Sequence, residues 1–187
     1  VQVIIDEAGH LTGMVNDLLD ISKLQAGVTQ LNKTQFNLTK NLQAAVQRIG
    51  RMASANEFTI ELICDHDQEV FVDADEFKIY QVVYNLINNA LNYSGDSRHV
   101  IVRQECIGDT VKVSVQDFGP GIAKENLPLV WERYYKVDKE HRRSFNGSGL
   151  GLAIVRKILE LHNAQYGVDS TLGQGSTFWF CLKVSDE

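Results

Sequence analysis

The chain has 187 residues, 44% hydrophobic and 22% charged, which suits one domain, or one domain with an appendage, and supplies enough apolar sequence for a real core. A net charge of −6 without a basic stripe argues against a nucleic-acid surface. No apolar run approaches the roughly 18 residues of a membrane span, and no signal peptide is visible. Cys64, Cys106 and Cys181 are too far apart for a metal site. They read as small buried hydrophobes within strand-like runs, in a reducing compartment.

The sequence opens at Val1, without Met, in what reads as the middle of a helix, so a fragment of a longer protein is expected. Ile4, Ala8, Leu11, Val15, Leu18 and Ser22 alternate spacings of four and three, the seam of a helix that packs against partner helices. Met14 and Ile21 widen that seam, and Gly27 is a plausible stop. One such helix cannot bury its own stripe, so a bundle completed by other sequence or by a second chain is the physical expectation.

After Gly27 the pattern changes. "NLTKNLQAAVQRIGRMASA" predicts an amphipathic helix capped by Asn37, and "FTIELIC" and "EVFVD" alternate like two strands with "DHDQ" as the turn between them. "DEFKIYQVVYNLINNALNYS" predicts a long helix with Phe77, Ile79, Val82, Val83, Leu86, Ile87 and Ala90 on one broad face. "HVIVRQECI" and "VKVSVQDF" form a strand pair around Gly108-Asp109. A long polar loop spans 136–148, a length uncommon in a compact domain unless it is functional. A helix from Leu150 and two strands in "QYGVDSTLGQGSTFWFCLKV" close the chain. The sum predicts an α+β fold, a two-layer sandwich of a mixed sheet with helices on one face, preceded by one bundle-forming helix.

Four constellations carry chemistry. Asn85, Asn89 and Asn92 share one face of an otherwise apolar helix. Amides there either hydrogen-bond as a structural ridge or aim their oxygens at a cation such as Mg2+. In "DFGPGI", Asp117 ends a strand and Gly119 and Gly121 flank Pro120: a plain turn, or a carboxylate placed to accept from an exocyclic amine. "NGSGLGLAIVRKIL" packs Gly147, Gly149 and Gly151 before a helix whose first N–H groups suit an anion. It is neither G-x-x-x-x-G-K-[ST] nor G-x-G-x-x-G. "GQGSTFWF" turns at Gly173 and Gly175 before an aromatic strand, which by itself is an ordinary hairpin.

Taken in order, these stretches resemble the ATP-binding domain of bacterial sensor histidine kinases, in the GHKL superfamily. "YNLINNALNYS" looks like the family's N box, "DFGPGI" its first glycine box, "WERYYK" its F box, "GSGLGL" its second glycine box and "GQGSTF" its last. "VNDLLDISKLQAG" resembles the end of the second helix of the dimerisation and histidine-phosphotransfer domain. The resemblance implies two parts: residues 1–27 from that bundle and residues 28–187 as the kinase's ATP-binding domain.

By position, the resemblance implies ATP and Mg2+ as cofactors. Asn89 coordinates the metal, and Asn85 contacts metal or phosphates. Asp117 accepts from the adenine amine, Gly121 and Thr177 line the base pocket, and Tyr93 stacks on the ring. Gly119 belongs to the first glycine box. The backbone around Gly147, Gly149, Leu150 and Gly151 cradles phosphates. Residues 124–148 form a lid in which Lys136, Arg142 and Arg143 clamp phosphate, the bland alternative for the two arginines being a solvated charge run. The family often has Lys where this chain has Asn92, so one phosphate contact departs from the pattern.

Hydrolytic relatives place a Glu general base where Asn85 stands. An amide has no such capacity, so transfer to a positioned imidazole is favoured over rapid hydrolysis. The implied function is donation of the γ-phosphate of Mg-ATP to a histidine of a dimerisation and phosphotransfer domain in two-component signalling. The implied partners are that domain's acceptor helix, a response-regulator receiver domain and a second copy through the helix of residues 1–27. The implied setting is the cytoplasmic portion of a parent that a membrane span anchors or that has none. His10 is not expected to be the acceptor, because nothing around it resembles a "SHELRTP" box; His66, His99, His141 and His162 are read as lying without partners. Two other readings stay open: an ATP-binding regulatory module of a degenerate or phosphatase-biased kinase, and a stand-alone ATPase or anti-sigma-type serine kinase.

Overall fold

The computed structural model describes residues 30–65, 69–135 and 149–185, together with Val15, Leu18, Leu19 and Ser22. Those four positions are helical and exposed. The rest of the predicted N-terminal helix, with His10, lies outside the described residues, as do His66 and residues 136–148.

Strand β1, Thr34–Asn37, runs directly into helix α1, Leu38–Ala53. Asn37 caps α1 by accepting from Lys40 N at 2.9 Å. Leu38, Leu42, Ala45 and Ile49, at spacings of four, three and four, form its buried stripe. Strand β2 is Thr59–Cys64 and β3 is Phe71–Ala74. Helix α2, Glu76–Tyr93, starts at Asp75, whose side chain accepts from Lys78 N at 3.1 Å. β4, His99–Ile107, and β5, Thr110–Asp117, make a hairpin whose turn needs the positive φ of Gly108. Helix α3 is Gly151–Leu161, followed by β6, Gln165–Thr171, and β7, Gly175–Lys183.

Five strands form one sheet in the order β2-β4-β5-β7-β6. Only β2 and β4 are parallel; the other neighbours are antiparallel, so the sheet is mixed. Alternate residues Val100, Val102, Val113, Val115, Phe178 and Phe180 are buried under the three helices. The intervening Lys112, Thr177, Trp179 and Cys181 belong to the opposite, open face. The predicted two-layer α+β sandwich is the architecture that forms.

Several local expectations are corrected. β2 and β3 are not a hairpin: β2 pairs in parallel with β4, which requires a crossover, and β3 with α2 supplies it. β3 instead pairs antiparallel with β1, a strand the sequence pattern does not reveal, in a separate two-stranded sheet. Phe77 is 71% exposed, because at 100° per residue it lies about 200° around the helix from Ile79. The cysteines are free but not buried: Cys106 is exposed near the end of β4, and Cys64 and Cys181 are half-buried. Cys64 sits at a strand end and Cys181 alternates onto the open face.

His162 also departs from expectation, because both of its ring nitrogens have partners. Nε2 accepts from Asp75 N at 3.1 Å and Nδ1 donates to the Ile158 carbonyl at 2.8 Å, joining the end of α3 to the start of α2. His99 lies 3.5 Å from Glu61 and stacks on Phe118. The bond from Asp75 requires a neutral His162 ring, and burial pushes its pKa below the ordinary 6.5. A histidine with a depressed folded pKa stabilises fully above its unfolded value and loses that contribution as pH falls through the folded one. His162→Ala should therefore be less stable than wild type by about 1–3 kcal/mol at pH 7.5. The gap should narrow steadily as pH falls below 6.5. Thermal melts of both proteins across pH check this, and a gap that stays constant down to pH 5 contradicts it.

Candidate functional site

β5 ends at Asp117, where strand alternation turns the side chain toward the helical layer, and the residue is only 2% exposed. Its Oδ1 accepts from Gly119 N at 2.9 Å and from Ser176 N at 3.3 Å. Burial pushes its pKa up to about 6, against the two backbone N–H groups, which pull it down. No charged partner acts on it among the described residues. A carboxylate with its pKa raised in this way destabilises the fold once ionised, on the order of 3 kcal/mol at neutral pH. Groups held at such a cost cluster at functional sites.

The glycines around it are required by backbone meeting backbone. A Cβ on Gly119 would lie 1.7 Å from the carbonyl oxygen of Tyr93, the last residue of α2. A Cβ on Gly121 would lie 2.1 Å from Thr171 O, and one on Gly175 2.1 Å from Asp117 O. Gly173 N donates to Pro120 O at 2.7 Å and Ile122 N to Ser170 Oγ at 2.8 Å, so the loop after β5 is clasped to the β6–β7 turn. That clasp holds the Asp117 carboxylate in place from two sides.

Asn85, Asn89 and Asn92 run along α2 beside this clasp. Asn85 meets the start of α3: a Cβ on Gly151 would lie 3.3 Å from Asn85 Oδ1. Neither Asn85 nor Asn89 is hydrogen-bonded by a described side chain, and both are half-exposed. Asn92 Oδ1 is buried and accepts nothing among the described residues. Tyr93 is exposed at the end of α2. Leu150 is buried at the N-cap of α3, which carries no side-chain cap, so the helix start presents N–H groups. Gly149, at φ +72°, accepts from Tyr134 N at 2.9 Å, joining the chain on either side of residues 136–148.

The structure thus brings Asn85, Asn89, Asn92, Tyr93, Asp117, Gly119, Gly121, Gly149, Leu150 and Gly151 to one end of the sandwich. Thr177 is not among them. It pairs with Gln116 and Asp169 on the open face, and Ser176 is the β7 residue on the Asp117 side. The signal is present in the sequence: with Phe178 and Phe180 facing the core, alternation turns Ser176 inward and Thr177 outward. Lys136, Arg142, Arg143 and Gly147 lie outside the described residues.

A sequence model described as "Histidine kinase-, DNA gyrase B-, and HSP90-like ATPase" matches residues 74–186, the span from the end of β3 through β7. The chain belongs to this family. It is 33% identical over 97% of its length to sensor histidine kinase WalK of Bacillus subtilis, covering 30% of that protein. It is 34% identical over 94% of its length to the non-motile and phage-resistance protein of Caulobacter vibrioides, covering 21% of it. Among solved structures it resembles full-length ShkA in complex with AMPPNP, with a TM-score of 0.82, 27% identity, and coverage of 97% of this chain and 37% of that one. The chain therefore spans less than a third of the length of these curated relatives.

Two glycine variants test the geometry. Gly119→Ala should cost more than about 3 kcal/mol, because the new methyl meets a helix-end carbonyl that cannot withdraw. Gly151→Ala should cost less than about 1 kcal/mol, since the short Asn85 side chain can yield and alanine favours helix. Denaturant titrations decide, and equal stability of the two variants contradicts the packing described.

Proposed function

We propose that this ATPase-family chain is the nucleotide-binding and phosphoryl-donating part of a sensor histidine kinase. On this reading residues 28–187 bind Mg-ATP, and residues 1–27 are the second helix of a dimerisation and phosphotransfer bundle shared with a second copy. The γ-phosphate goes to a histidine of that bundle outside these residues, and from there to a response-regulator receiver domain. The parent is a sensor whose catalytic part faces the cytoplasm. Among the described residues no helix is long and apolar enough to cross a membrane.

The observation that carries the reading is the Asp117 carboxylate. One of its oxygens is committed to Gly119 and Ser176 N–H, while no described group claims the other, so it accepts a donor from a ligand. The adenine amine is such a donor. From that anchor a nucleotide extends along the amide face of α2 toward the uncapped start of α3, where N–H groups meet phosphate. The AMPPNP bound in ShkA, over a fold matched at a TM-score of 0.82, supports an adenine nucleotide here.

Asn89 and Asn85 fit Mg2+, since both amides are half-exposed and unclaimed by described side chains. Among the described residues no three His, Cys, Asp or Glu side chains group as a metal site, so phosphate and water must complete the shell. When bound, Mg2+ neutralises charge on the phosphates. The chain's own work is alignment: Asp117 sets the depth of the base, the α2 amides its register, and the α3 N–H groups the phosphates. Transfer forms an N–P bond at the imidazole, breaks the bond from the γ-phosphorus to its bridging oxygen and leaves ADP, while the imidazole proton is released. Asn85, facing Gly151, is an amide and takes no proton from water, which favours transfer over hydrolysis.

Asp117→Asn tests the base site. If the new amide's oxygen keeps the Gly119 and Ser176 N–H groups, its NH2 faces the adenine amine donor to donor. ATP affinity at pH 7.5 should fall at least about tenfold. Wild-type affinity should also fall as pH drops through about 6, where Asp117 gains a proton, while the Asp117→Asn variant has no such step. Calorimetry of both proteins across pH reads the difference, with phosphate titration common to the two. Equal ATP affinities at pH 7.5 remove Asp117 from the base site.

A further inference from the structure

We propose that Ser170 is a positioning residue for the base site: by accepting the Ser176 hydroxyl proton it keeps that hydroxyl off Asp117, leaving a carboxylate oxygen open to the 6-amino group of a purine. The inference rests on the nucleotide reading above and names a residue that sets which base the site prefers.

The Ser170 hydroxyl stands where the strands and loops of the clasp meet. Its Oγ accepts from Ile122 N at 2.8 Å, and it lies 2.8 Å from the Gly175 carbonyl oxygen and 2.9 Å from Ser176 Oγ. A serine hydroxyl has one proton to donate and two lone pairs with which to accept. The Gly175 carbonyl can only accept, so the Ser170 proton goes there. Were it turned to Ser176 instead, two oxygens 2.8 Å apart would face each other with no proton between them. The Ser176 hydroxyl is therefore the donor in the remaining contact. Ser170 is then saturated, with one bond given and two received.

This wiring matters for Asp117. Ser176 already places its backbone N–H on Asp117 Oδ1 at 3.3 Å, so a turn about its Cα–Cβ bond carries its hydroxyl toward the same carboxylate. Ser176 is 6% exposed and Asp117 2%, so neither has ready access to water. A buried carboxylate is a strong acceptor, and a hydroxyl donated to it makes one of the stronger hydrogen bonds. Yet Asp117 takes only backbone N–H groups from the described residues. The Ser170 oxygen accounts for this by holding the Ser176 proton elsewhere. Without that oxygen, Ser176 turns to Asp117 and satisfies it from within. A base carrying the 6-amine then gains nothing over one that lacks it.

The test compares ATP with purine riboside triphosphate, which lacks only the 6-amine, by calorimetry with Mg2+ at pH 7.5. Wild type should favour ATP by about tenfold or more. In Ser170→Ala the preference should collapse to within about twofold of unity. Ser170→Thr keeps the hydroxyl and should keep the preference. In Ser170→Ala/Ser176→Ala the clasp stays weakened but the intruding hydroxyl is gone, so the preference for ATP should return to at least about fivefold. Should Ser170→Ala not fold, Ser170→Cys, whose sulfur accepts only weakly, takes its place in both comparisons. The fall in ATP affinity that marks protonation of Asp117, at a pH of about 6 in wild type, should move lower in Ser170→Ala, because a hydrogen bond to the carboxylate favours its charged form. Equal loss of both nucleotides in Ser170→Ala, with the preference for ATP intact, makes Ser170 merely structural and overturns the proposal. A preference that the double variant does not recover, or a pH step that stays in place, overturns it too. Failure of wild type to bind either nucleotide defeats the nucleotide reading itself, and this inference with it.

Discussion

The Asp117 carboxylate is the constraint on which this end of the molecule depends. One oxygen holds two loops by their backbone N–H groups, from Gly119 after β5 and from Ser176 at the start of β7. To reach it, both loops press backbone against backbone, which is why side chains are excluded at Gly119, Gly121 and Gly175. Burial of this ionisable group raises its pKa to about 6, and its second oxygen is claimed by no described group. A site that discriminates by hydrogen bonding needs such an unmatched, desolvated group, because a ligand lacking the donor leaves it unpaired.

Helix α2 carries the rest of the site, and its two ends are held differently. Its start is secured by Asp75, which caps it through Lys78 N, accepts Asn32 N and donates its own N–H to His162 at the end of α3. Its end is held by contact of Tyr93 O with the Gly119 loop and by the Ser94 hydroxyl on Leu91 O. Between them, Ile79, Val82, Val83, Leu86, Ile87 and Ala90 bury one face, leaving Asn85, Asn89 and Asn92 on another side of the helix. Asn32, just ahead of β1, donates its N–H to Asp75 at the junction of the start of α2 and the end of α3.

Legibility in the sequence follows the range of the interactions. α1, α2 and α3 are readable because caps such as Asn37 and apolar stripes at helical spacing act within a few residues. The β4–β5 and β6–β7 hairpins are readable because tight turns join neighbours in sequence. β1 escapes notice and β2–β3 mimics a hairpin, because a short strand with one buried side chain has little pattern, and because a parallel partner lies some forty residues away. The two-partner bonding of His162 is equally invisible, since Asp75 lies 87 residues distant. Motif position favours Thr177 over Ser176, although the alternation of Phe178 and Phe180 already points the other way.

The sequence by itself determined the mixed α+β sandwich, the family and the set of amides, carboxylate and glycines that meet at one end of it. These are carried by local periodicity and by motif order, which survive without coordinates. Only the tertiary structure decided that the glycines serve chain-to-chain contact, that Ser176 and not Thr177 reaches Asp117, and that Asn92 is left with a buried oxygen and no described donor. Each of those facts depends on what lies across a gap of several ångströms from a distant stretch of chain, a distance that spacing along the sequence does not encode.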